Sequence, residues 1–144
     1  MADLSPTVGS VAWSSGGICK DFNAGETITA GMSVYLSASN LWMMAQCDGT
    51  AIQAGSGTRT GISLHASLSG QPLAVQETGV VNLGATLAIG TLYVISTAFG
   101  KIAPFADLVS TNKITILGIG QTTALLDMAY KGAYPGGYTG LAVP

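Results

Sequence analysis

Short apolar runs separated by turn-forming residues dominate the pattern of hydrophobic and polar positions along the chain. The runs are rich in Val, Ile, Thr and Tyr, and they are bounded by Gly, Pro, Asn, Asp or Ser, which is typical of short β-strands joined by tight turns. The segments of this form are TITAGMSVYLS, LWMMAQ, GISLHAS, PLAVQ, GVVNLG, TLYVIST, GKIAP, KITILGIG and ALLDMAY. Their spacing predicts an all-β protein.

Helical signals are weak by comparison. No stretch of about twelve residues keeps an apolar stripe of helical period between capping residues. The best helical candidate is PFADLVS, where Pro104 would open a single turn. We therefore predict a compact β-barrel or sandwich of short strands with at most one short helical turn.

A seven-residue motif occurs twice in the chain. Residues 25–31 (GETITAG) and 84–90 (GATLAIG) share the pattern G-x-T-[IL]-x-x-G, and each precedes a strand-like run that contains a tyrosine, Tyr35 or Tyr93. The glycines permit positive φ at the two ends of a turn, and the apolar residue between them would enter the core. The copies are either two matching corners of one β-domain or a chance match in a chain rich in Gly and Thr.

Length and local composition divide the chain into three parts. A chain of 144 residues fits one domain, and the strand pattern assigns residues 25–130 to it. Residues 1–24, an amino-terminal arm rich in Ser and Gly, and residues 131–144, a tail of Tyr, Gly and Pro, hold too little apolar surface to fold alone. Each is either an arm that becomes ordered on a neighbouring molecule, an edge strand, or a frayed end.

The chain is unusually poor in charge. Asp, Glu, Lys and Arg make up 8% of it and the net charge is −2, whereas an average soluble domain has about 25% charged residues. A neutral surface of Ser, Thr and Ala favours packing against another surface, so we expect a protein that belongs to an assembly. The scattered Lys and Arg residues form no basic stripe, so we expect no nucleic-acid partner.

Membrane and export signals are also missing from the sequence pattern. No apolar run approaches the ~20 residues of a membrane helix. The start, MADLSPTVGS, lacks the basic residues and the continuous apolar stretch of a signal peptide. We expect no membrane partner.

Two cysteines and one histidine limit metal and redox chemistry. Cys19 and Cys47 form no CxxC pair, and together with His65 they are too few for a four-ligand zinc site within one subunit. We expect no metal and no cofactor. Both cysteines are interpreted as ordinary semi-buried thiols, with a bridge between them as the alternative.

Any hydrolase mechanism of the Ser-His-Asp or Cys-His type would depend on His65. Strand alternation in ISLHA places Leu64 on the core face and Ser63 with His65 on the opposite, polar face. The chain has no G-x-S-x-G motif. The carboxylates are dispersed singly, at Asp3, Asp21, Glu26, Asp48, Glu77, Asp107 and Asp127. We therefore expect a structural histidine, no catalytic residues and no enzyme activity.

Two further patterns have plain structural interpretations. The glycine-rich triplets at residues 55–57 and 118–120 lack the GK[ST] ending of a phosphate-binding loop, so their glycines indicate turns. Trp42, Met43 and Met44 stand side by side, either as the core and rim of one strand or as an apolar contact patch.

Several blocks occur in an order that is informative as a whole. They are AGETITAGMSVY, GISLHAS followed by SGQPLAV, GVVNLGATLAIGTLYVIS, GKIAPFADL and KITILGIG, and they span about residues 24–126. The order resembles an AG-x-T-[IV]-x-AG-x-x-VY turn, a G-[IV]-[AS]-L-H-x-A-x-x-GQP-[LV] segment, a GT-x-YV-[VI]-S strand, a GKIAP-like turn and a final V-T-[VI]-LG strand. This pattern is that of the small capsid decoration (cement) proteins of tailed bacteriophages.

The resemblance implies a tulip-like or barrel-like β-protein. Such a protein would be made in the host cytoplasm and would bind as a homotrimer to the outer surface of the mature icosahedral head, where it would clamp neighbouring subunits of the major capsid protein. It would have no catalytic residues, and the matched residues His65, Gly70, Gln71 and Pro72 would form a structural turn after a strand. The two ends of the chain match no block, so which of them would reach the capsid stays open.

Two other functions compete with this interpretation. A carbohydrate- or receptor-binding module of a virion would use exposed aromatic side chains, for which Tyr130, Tyr134 and Tyr138 qualify. A small hydrolase would require His65 in a pocket beside a nucleophile.

Overall fold

The computed structural model describes residues 3–50, 52–55, 58–84, 86–108, 112–128 and 132–134. The regular structure in these residues is β-strand, together with two three-residue 3-10 turns, Val8–Ser10 and Phe105–Asp107. The strands are β1 (Ala12–Ser15), β2 (Ile18–Cys19), β3 (Asn23–Ala24), β4 (Ser33–Leu36), β5 (Leu41–Met44), β6 (Thr60–Ser63), β7 (Val75–Gln76), β8 (Val80–Asn82), β9 (Leu92–Ile95), β10 (Ile102–Pro104), β11 (Ile114–Gly120), β12 (Leu125–Asp127) and β13 (Gly132–Tyr134). The all-β prediction is confirmed.

The strands form two curled sheets that pack as a compact sandwich or half-barrel. The first sheet has the order β1-β8-β12-β11-β9-β10, with β13 also paired to β11. The second sheet has the order β2-β7-β6-β4-β5-β3. The strand pairs are antiparallel except for β3 and β5, which run parallel.

Every segment that the sequence predicts as a strand contains one in the structure. The 3-10 turn Phe105–Asp107 begins directly after Pro104, as expected. The sequence does not predict the turn Val8–Ser10 or the strands β1, β2, β3 and β13. All four residues of β1 are exposed, so its pattern has no alternation, and β2 and β3 have two residues each. These three strands lie at sheet edges, which was one alternative for this segment.

A bent two-stranded ribbon connects the two sheets. One arm of the ribbon runs from β1 into β2 and the other from β7 into β8, and β1 pairs with β8 while β2 pairs with β7. The arms touch where they cross between the sheets, at Gly16 (φ +101°) and Gly79 (φ +85°). A Cβ on either glycine would collide with the Cα of the other, so the crossing requires both glycines.

Gln76 ties the two arms of this ribbon together. Its side chain is fully buried, and its Nε2 donates to the carbonyl oxygens of Ser15 (2.6 Å), Val80 (2.8 Å) and Thr78 (3.0 Å). Ser15 belongs to one arm and the other two acceptors belong to the second arm. A single amide group therefore satisfies backbone acceptors on both sides of the crossing.

The two sheets contain the same five-stranded unit. The first half of the chain gives the order β2-β7-β6-β4-β5, and the second half gives β8-β12-β11-β9-β10. Within each half the spatial order of its strands is first, fifth, fourth, second and third. The repeated motif precedes the second strand of each half, β4 or β9. The structure therefore places the two copies at matching corners of an internally duplicated domain.

Strand registers in the two halves also correspond. β4 and β9 each begin two residues after the last glycine of the motif. In the hairpin that follows, Leu36 lies opposite Trp42 in the first half, and Ile95 lies opposite Ile102 in the second. Trp42 and Ile102 are therefore equivalent positions, and both are buried.

A glycine stands at the same place in the fourth strand of each half. A Cβ on Gly61 of β6 would lie 2.5 Å from the carbonyl oxygen of Gln76, and a Cβ on Gly118 of β11 would collide with the carbonyl oxygen of Asp127. Both glycines thus allow the fifth strand of their half to approach closely. Matching steric requirements at Gly61 and Gly118 support the equivalence of the halves.

The apolar residue of each motif copy is buried as the sequence predicts. Ile28 (0% exposed) joins a core enclosed by the second sheet, and Leu87 (2% exposed) joins the larger core between the sheets. Burial of such a side chain contributes roughly 1.5–3 kcal/mol. The tyrosines are not equivalent, because Tyr35 is the third residue of β4 and Tyr93 the second residue of β9.

The two halves differ in the segment that precedes the motif. Cys19 and Val81 are equivalent, since they lie opposite equivalent residues of the fifth strands, β7 and β12. Gly25 follows Cys19 by six positions, whereas Gly84 follows Val81 by three. The longer segment holds β3, which runs beside β5. The second half has no such strand of its own beside β10 among the described residues.

Residues 3–7, here called the amino-terminal strap, lie along β10 in the second half. The N–H of Leu4 donates to the carbonyl oxygen of Ile102 (2.8 Å), just as the N–H of Gly25 donates to that of Trp42 (2.9 Å). Leu4 is buried in the larger core. The strap therefore takes the place that β3 has in the first half.

Candidate functional site

His65 is exposed, and both of its ring nitrogens bond to the backbone. Nε2 accepts a hydrogen bond from the N–H of Ala74 (3.0 Å), and Nδ1 lies 2.9 Å from the carbonyl oxygen of Ala66. Both bonds form in the neutral tautomer that carries its hydrogen on Nδ1. The ring thus connects the end of β6 to the segment that leads into β7.

Ser63 does not share the polar face that the sequence assigns to it and His65. The side chain of Ser63 is fully buried; its Oγ donates to the carbonyl oxygen of Thr29 (2.6 Å) and accepts from the N–H of Met32 (3.0 Å). The prediction was wrong because β6 is buried on both faces and ends at Ser63. The strand alternation therefore does not extend to His65.

Glu77 is paired with Arg59. Its Oε2 accepts from Nε of Arg59 (2.9 Å), and its Oε1 accepts from Nη2 of the same residue. The guanidinium lies 5.5 Å from the ring centroid of Phe22. The hydrogen bonds to Glu77 raise the pKa of Arg59 above its ordinary value. The hydrogen bonds described for His65 go to backbone atoms, whereas those of Glu77 go to the side chain of Arg59.

The two cysteines are free and buried in different cores. Cys47 lies in the core between the sheets, and Cys19 lies in the core of the second sheet. The bridge considered from the sequence is not formed. Burial, with a smaller contribution from the charge of Asp48, raises the pKa of the Cys47 thiol to about 12.

The Trp-Met-Met segment forms most of β5. Trp42 is fully buried and packs edge-on against Phe22, with ring centroids 6.5 Å apart. Met43 and Met44 are half-buried and pack against the two cores. The interpretation as core and rim of one strand is confirmed.

Clusters of metal-ligating side chains are missing from the described part of the chain. There, no three His, Cys, Asp or Glu side chains lie together in a way that could hold a metal ion. The described residues also contain no helix of the length and apolarity needed to cross a membrane.

The strongest candidate for a contact site is a pair of equivalent corners. Corner 1 comprises residues 25–31 and 66–71, and corner 2 comprises residues 84, 86–90 and 120–123. In corner 1 the N–H of Ile28 donates to the carbonyl oxygen of Ser67 (2.9 Å), and in corner 2 the N–H of Leu87 donates to that of Thr123 (2.8 Å). Each corner thus ties its motif copy to a second loop.

A well-connected turn presents Leu68 in corner 1. The N–H of Gln71 donates to the carbonyl oxygen of Leu68 (3.0 Å), and Oε1 of Gln71 accepts from the N–H of Leu68 (3.1 Å). Gly70 supplies the positive φ (+85°), and Oγ of Ser67 donates to the carbonyl oxygen of Pro72 (2.9 Å). The side chain of Leu68 is nevertheless 59% exposed. The block LHASLSGQP therefore forms a fixed turn that displays one apolar side chain.

Ile89 is the exposed apolar residue of corner 2 and belongs to its motif copy, where corner 1 has Ala30. It lies between buried Leu87 and Gly90, whose N–H donates to the carbonyl oxygen of Gly120 (2.8 Å). Ile89 is 71% exposed, and among the described residues it and Leu68 are the most exposed large apolar side chains. Each half of the molecule therefore displays one such side chain at its equivalent corner.

The two corners are almost free of charge. Glu26 is the ionisable residue in their described loops, and its Oε2 accepts from the N–H of Met44 (2.9 Å). Beside Leu68 there is a shallow cavity of about 140 Å³, lined by residues 27–29 and 66–68 with Gln71. An apolar, hydroxyl-rich surface of this kind suits a protein contact better than the capture of an ion.

The sequence pattern did not predict Leu68 or Ile89 as contact residues. The available signal was an apolar residue one or two positions before a turn glycine, in LSG for Leu68 and in IG for Ile89. The aromatic residues considered for carbohydrate binding, Tyr130 and Tyr138, lie outside the described residues, as does the side chain of Tyr134. That alternative stays a prediction.

Comparisons with protein-family models, with curated proteins and with solved structures find no match to this chain.

Proposed function

We propose that this chain is a non-enzymatic capsid decoration (cement) protein of a tailed bacteriophage. In this proposal a homotrimer binds the outer surface of the mature icosahedral head and bridges neighbouring subunits of the major capsid protein. The motif order set out in the sequence analysis motivates the class of protein. The observation that carries the proposal is the presence of an exposed apolar side chain, Leu68 or Ile89, at each of two equivalent and almost uncharged corners.

Duplicated contact points suit a partner that is itself repeated. A capsid presents the same surface many times at fixed spacing, so a chain with two similar corners can engage two copies at once. The second contact then forms at a high effective concentration, and weak single contacts combine into strong attachment. A trimer would offer six such corners.

The role of the LHASLSGQP block in this proposal is structural. Gly70 bends the backbone and Gln71 bonds to it, so that Leu68 is presented on a turn that is already ordered, while His65 joins the block to the segment before β7. Such preorganisation lowers the entropy lost on binding. This role requires no nucleophile, metal or cofactor.

A sedimentation assay tests the capsid proposal. The purified protein is mixed with mature heads, with unexpanded procapsids and with free capsid subunits, at low and at high salt. We expect binding to mature heads, little binding to free subunits, and little loss at high salt because the corners carry few charges. Bound protein should also raise the temperature at which heads rupture, since a ligand of the intact lattice stabilises it. Equal affinity for free subunits, or an unchanged rupture temperature at saturation, contradicts the proposal.

Variants of the corners sharpen this test. Leu68→Asp and Ile89→Asp should each reduce head binding at least about tenfold, because a charge would have to be desolvated in an apolar contact. Phe99→Asp is the matched control, since Phe99 is 48% exposed and lies outside both corners. Native mass spectrometry at micromolar concentration should show a trimer for all three variants. A monomer at micromolar concentrations counts against the proposed homotrimer.

A further inference from the structure

The strap is a segment supplied from outside the five-stranded unit that it completes. The second half, β8 to β12, has no strand of its own beside β10 in the described residues, and the strap lies in that place. Its side-chain anchor is Leu4, which is buried in the larger core. Its backbone anchors are the N–H groups of Leu4 and Thr7, which donate to Ile102 (2.8 Å) and Leu83 (3.1 Å).

Two side-chain bonds complete the attachment of the strap. Oγ1 of Thr7 donates to the carbonyl oxygen of Gly84 (2.8 Å), and Oδ1 of Asp3 accepts from Oγ of Ser96 (2.5 Å). All four polar contacts involve residues of the second half. Residues 80–84 and 86–104 thus form a groove that holds the strap through defined hydrogen-bonding positions.

Packing along the strap is incomplete. A cavity of about 130 Å³ lies beside it, between residues 4–6 on one side and residues 29–32 and 100–102 on the other. The exposed residues Ser5 and Thr7 flank Pro6, which has no N–H to donate. The strap is therefore held by a few discrete contacts, and we expect its release from the groove to cost less free energy than unfolding of the sheets.

We propose that this groove is a binding site for an extended peptide segment, and that in the assembled protein it holds the strap of a second copy of this chain. The second copy carries the same residues 3–7, so exchange replaces every contact with an identical one. Only the path of residues 8–11, between the strap and β1, has to change. Strand exchange of this kind is a low-cost route to an oligomer.

The inference is independent of the capsid proposal. It requires only that the groove recognises an extended backbone, an apolar side chain at the position of Leu4, and a hydroxyl at the position of Thr7. A ring of three chains, each donating its strap to the next, satisfies every groove. Failure of the test below leaves the sedimentation assay on phage heads unaffected.

A peptide-binding experiment on the full chain tests the groove. In Leu4→Asp an unpaired carboxylate would be buried, so the chain's own strap should leave the groove. A labelled peptide of residues 1–10, MADLSPTVGS, should then bind to the variant, as measured by fluorescence anisotropy. The peptide should bind wild-type protein at least about tenfold more weakly, because the attached strap competes at high effective concentration. A peptide with Leu4→Asp is the matched control and should not bind.

A second variant covers the case in which Leu4→Asp does not fold. Leu4→Ala weakens the anchor without adding charge, and its affinity for the peptide should lie between those of Leu4→Asp and wild type. Absence of peptide binding to either folded variant overturns the proposal. Equal affinity for the two peptides overturns it as well.

Exchange between copies is measured directly with isotopes. Unlabelled Leu4→Asp protein is mixed with ¹⁵N-labelled wild-type protein, and native mass spectrometry is used to detect complexes that contain both masses. We expect mixed complexes, because a wild-type strap can fill the vacant groove, and their signal should fall when the free peptide is added in excess. Mixed complexes that the peptide does not reduce would show an interface elsewhere and overturn the exchange.

Discussion

Gly31 and Gly90 hold the same position in the two motif copies and have the same backbone φ of +81°, yet only Gly31 lies against the strap. A Cβ on Gly31 would be 2.7 Å from Cβ of Pro6, whereas a Cβ on Gly90 would meet nothing within 4 Å. The pair therefore separates the conformational requirement for glycine from the steric one.

Replacement of each glycine by alanine measures that difference. Both Gly31→Ala and Gly90→Ala place a Cβ at positive φ, which costs roughly 1–2 kcal/mol. Gly31→Ala should cost about 1–2 kcal/mol more, because the strap must shift away from the added methyl. Urea unfolding gives both values, and the difference should shrink in the Leu4→Asp background. Equal losses in the wild-type background would show that the strap is not packed against Gly31.

The amide of Gln76 is expected to be the most sensitive polar group in the fold. Gln76→Met keeps the length of the side chain but removes a buried amide that donates to three carbonyl oxygens, so we expect a loss of about 2–4 kcal/mol. Gln121→Met, at an exposed position, is the control and should change stability by less than about 0.5 kcal/mol. Thermal unfolding followed by circular dichroism distinguishes the two. A small effect of Gln76→Met would mean that the crossing does not depend on this side chain.

His65 is expected to be dispensable for binding. His65→Asn removes the bond that Nε2 accepts from Ala74, which should cost about 0.5–1.5 kcal/mol. The variant should fold, form the same oligomer and bind phage heads like the parent protein. The measurements are a melting curve and the sedimentation assay. Loss of head binding with an unchanged melting temperature would show that His65 makes a direct contact.

Because the thiol of Cys47 is buried, we expect the free energy of unfolding to vary with pH in the alkaline range. Its pKa is raised from 9.0 to about 12 in the folded protein, so above pH 9 the unfolded state loses a proton that the folded state keeps. Stability should therefore be fully present below pH 9 and fall as the pH rises towards 12. Burial, followed by the charge of Glu26, also raises the pKa of Tyr35 and acts in the same direction.

Thiol titration and an alanine variant check this prediction. At pH 8 neither Cys19 nor Cys47 should react with a thiol reagent until the protein is unfolded, because both are buried. Cys47→Ala should flatten the decline in urea stability between pH 9 and 11 relative to wild type. Rapid labelling of native protein, or an unchanged decline in the variant, would contradict the burial of this thiol.

The sequence predicted much of the local structure because local structure depends on nearby residues. Short β-branched runs between glycine and proline identified the strands from β4 to β12. The repeated G-x-T-[IL]-x-x-G motif identified two equivalent turns and the buried residues Ile28 and Leu87. Backbone conformation at glycine and the period of a strand are encoded within a few residues, so a single chain is enough to reveal them.

Long-range pairing was decided by the tertiary structure alone. Ser63 is buried against the loop before β4, where its hydroxyl bonds to Thr29 and Met32. Leu4 is a core residue because the strap fills the place of a strand, and Gln76 is buried at a crossing of two distant arms. The exposure of Leu68 and Ile89 at two equivalent corners became visible only from the strand registers and the burial of each side chain. These relationships depend on which segments meet in space, and a periodic pattern of apolar residues does not specify that choice.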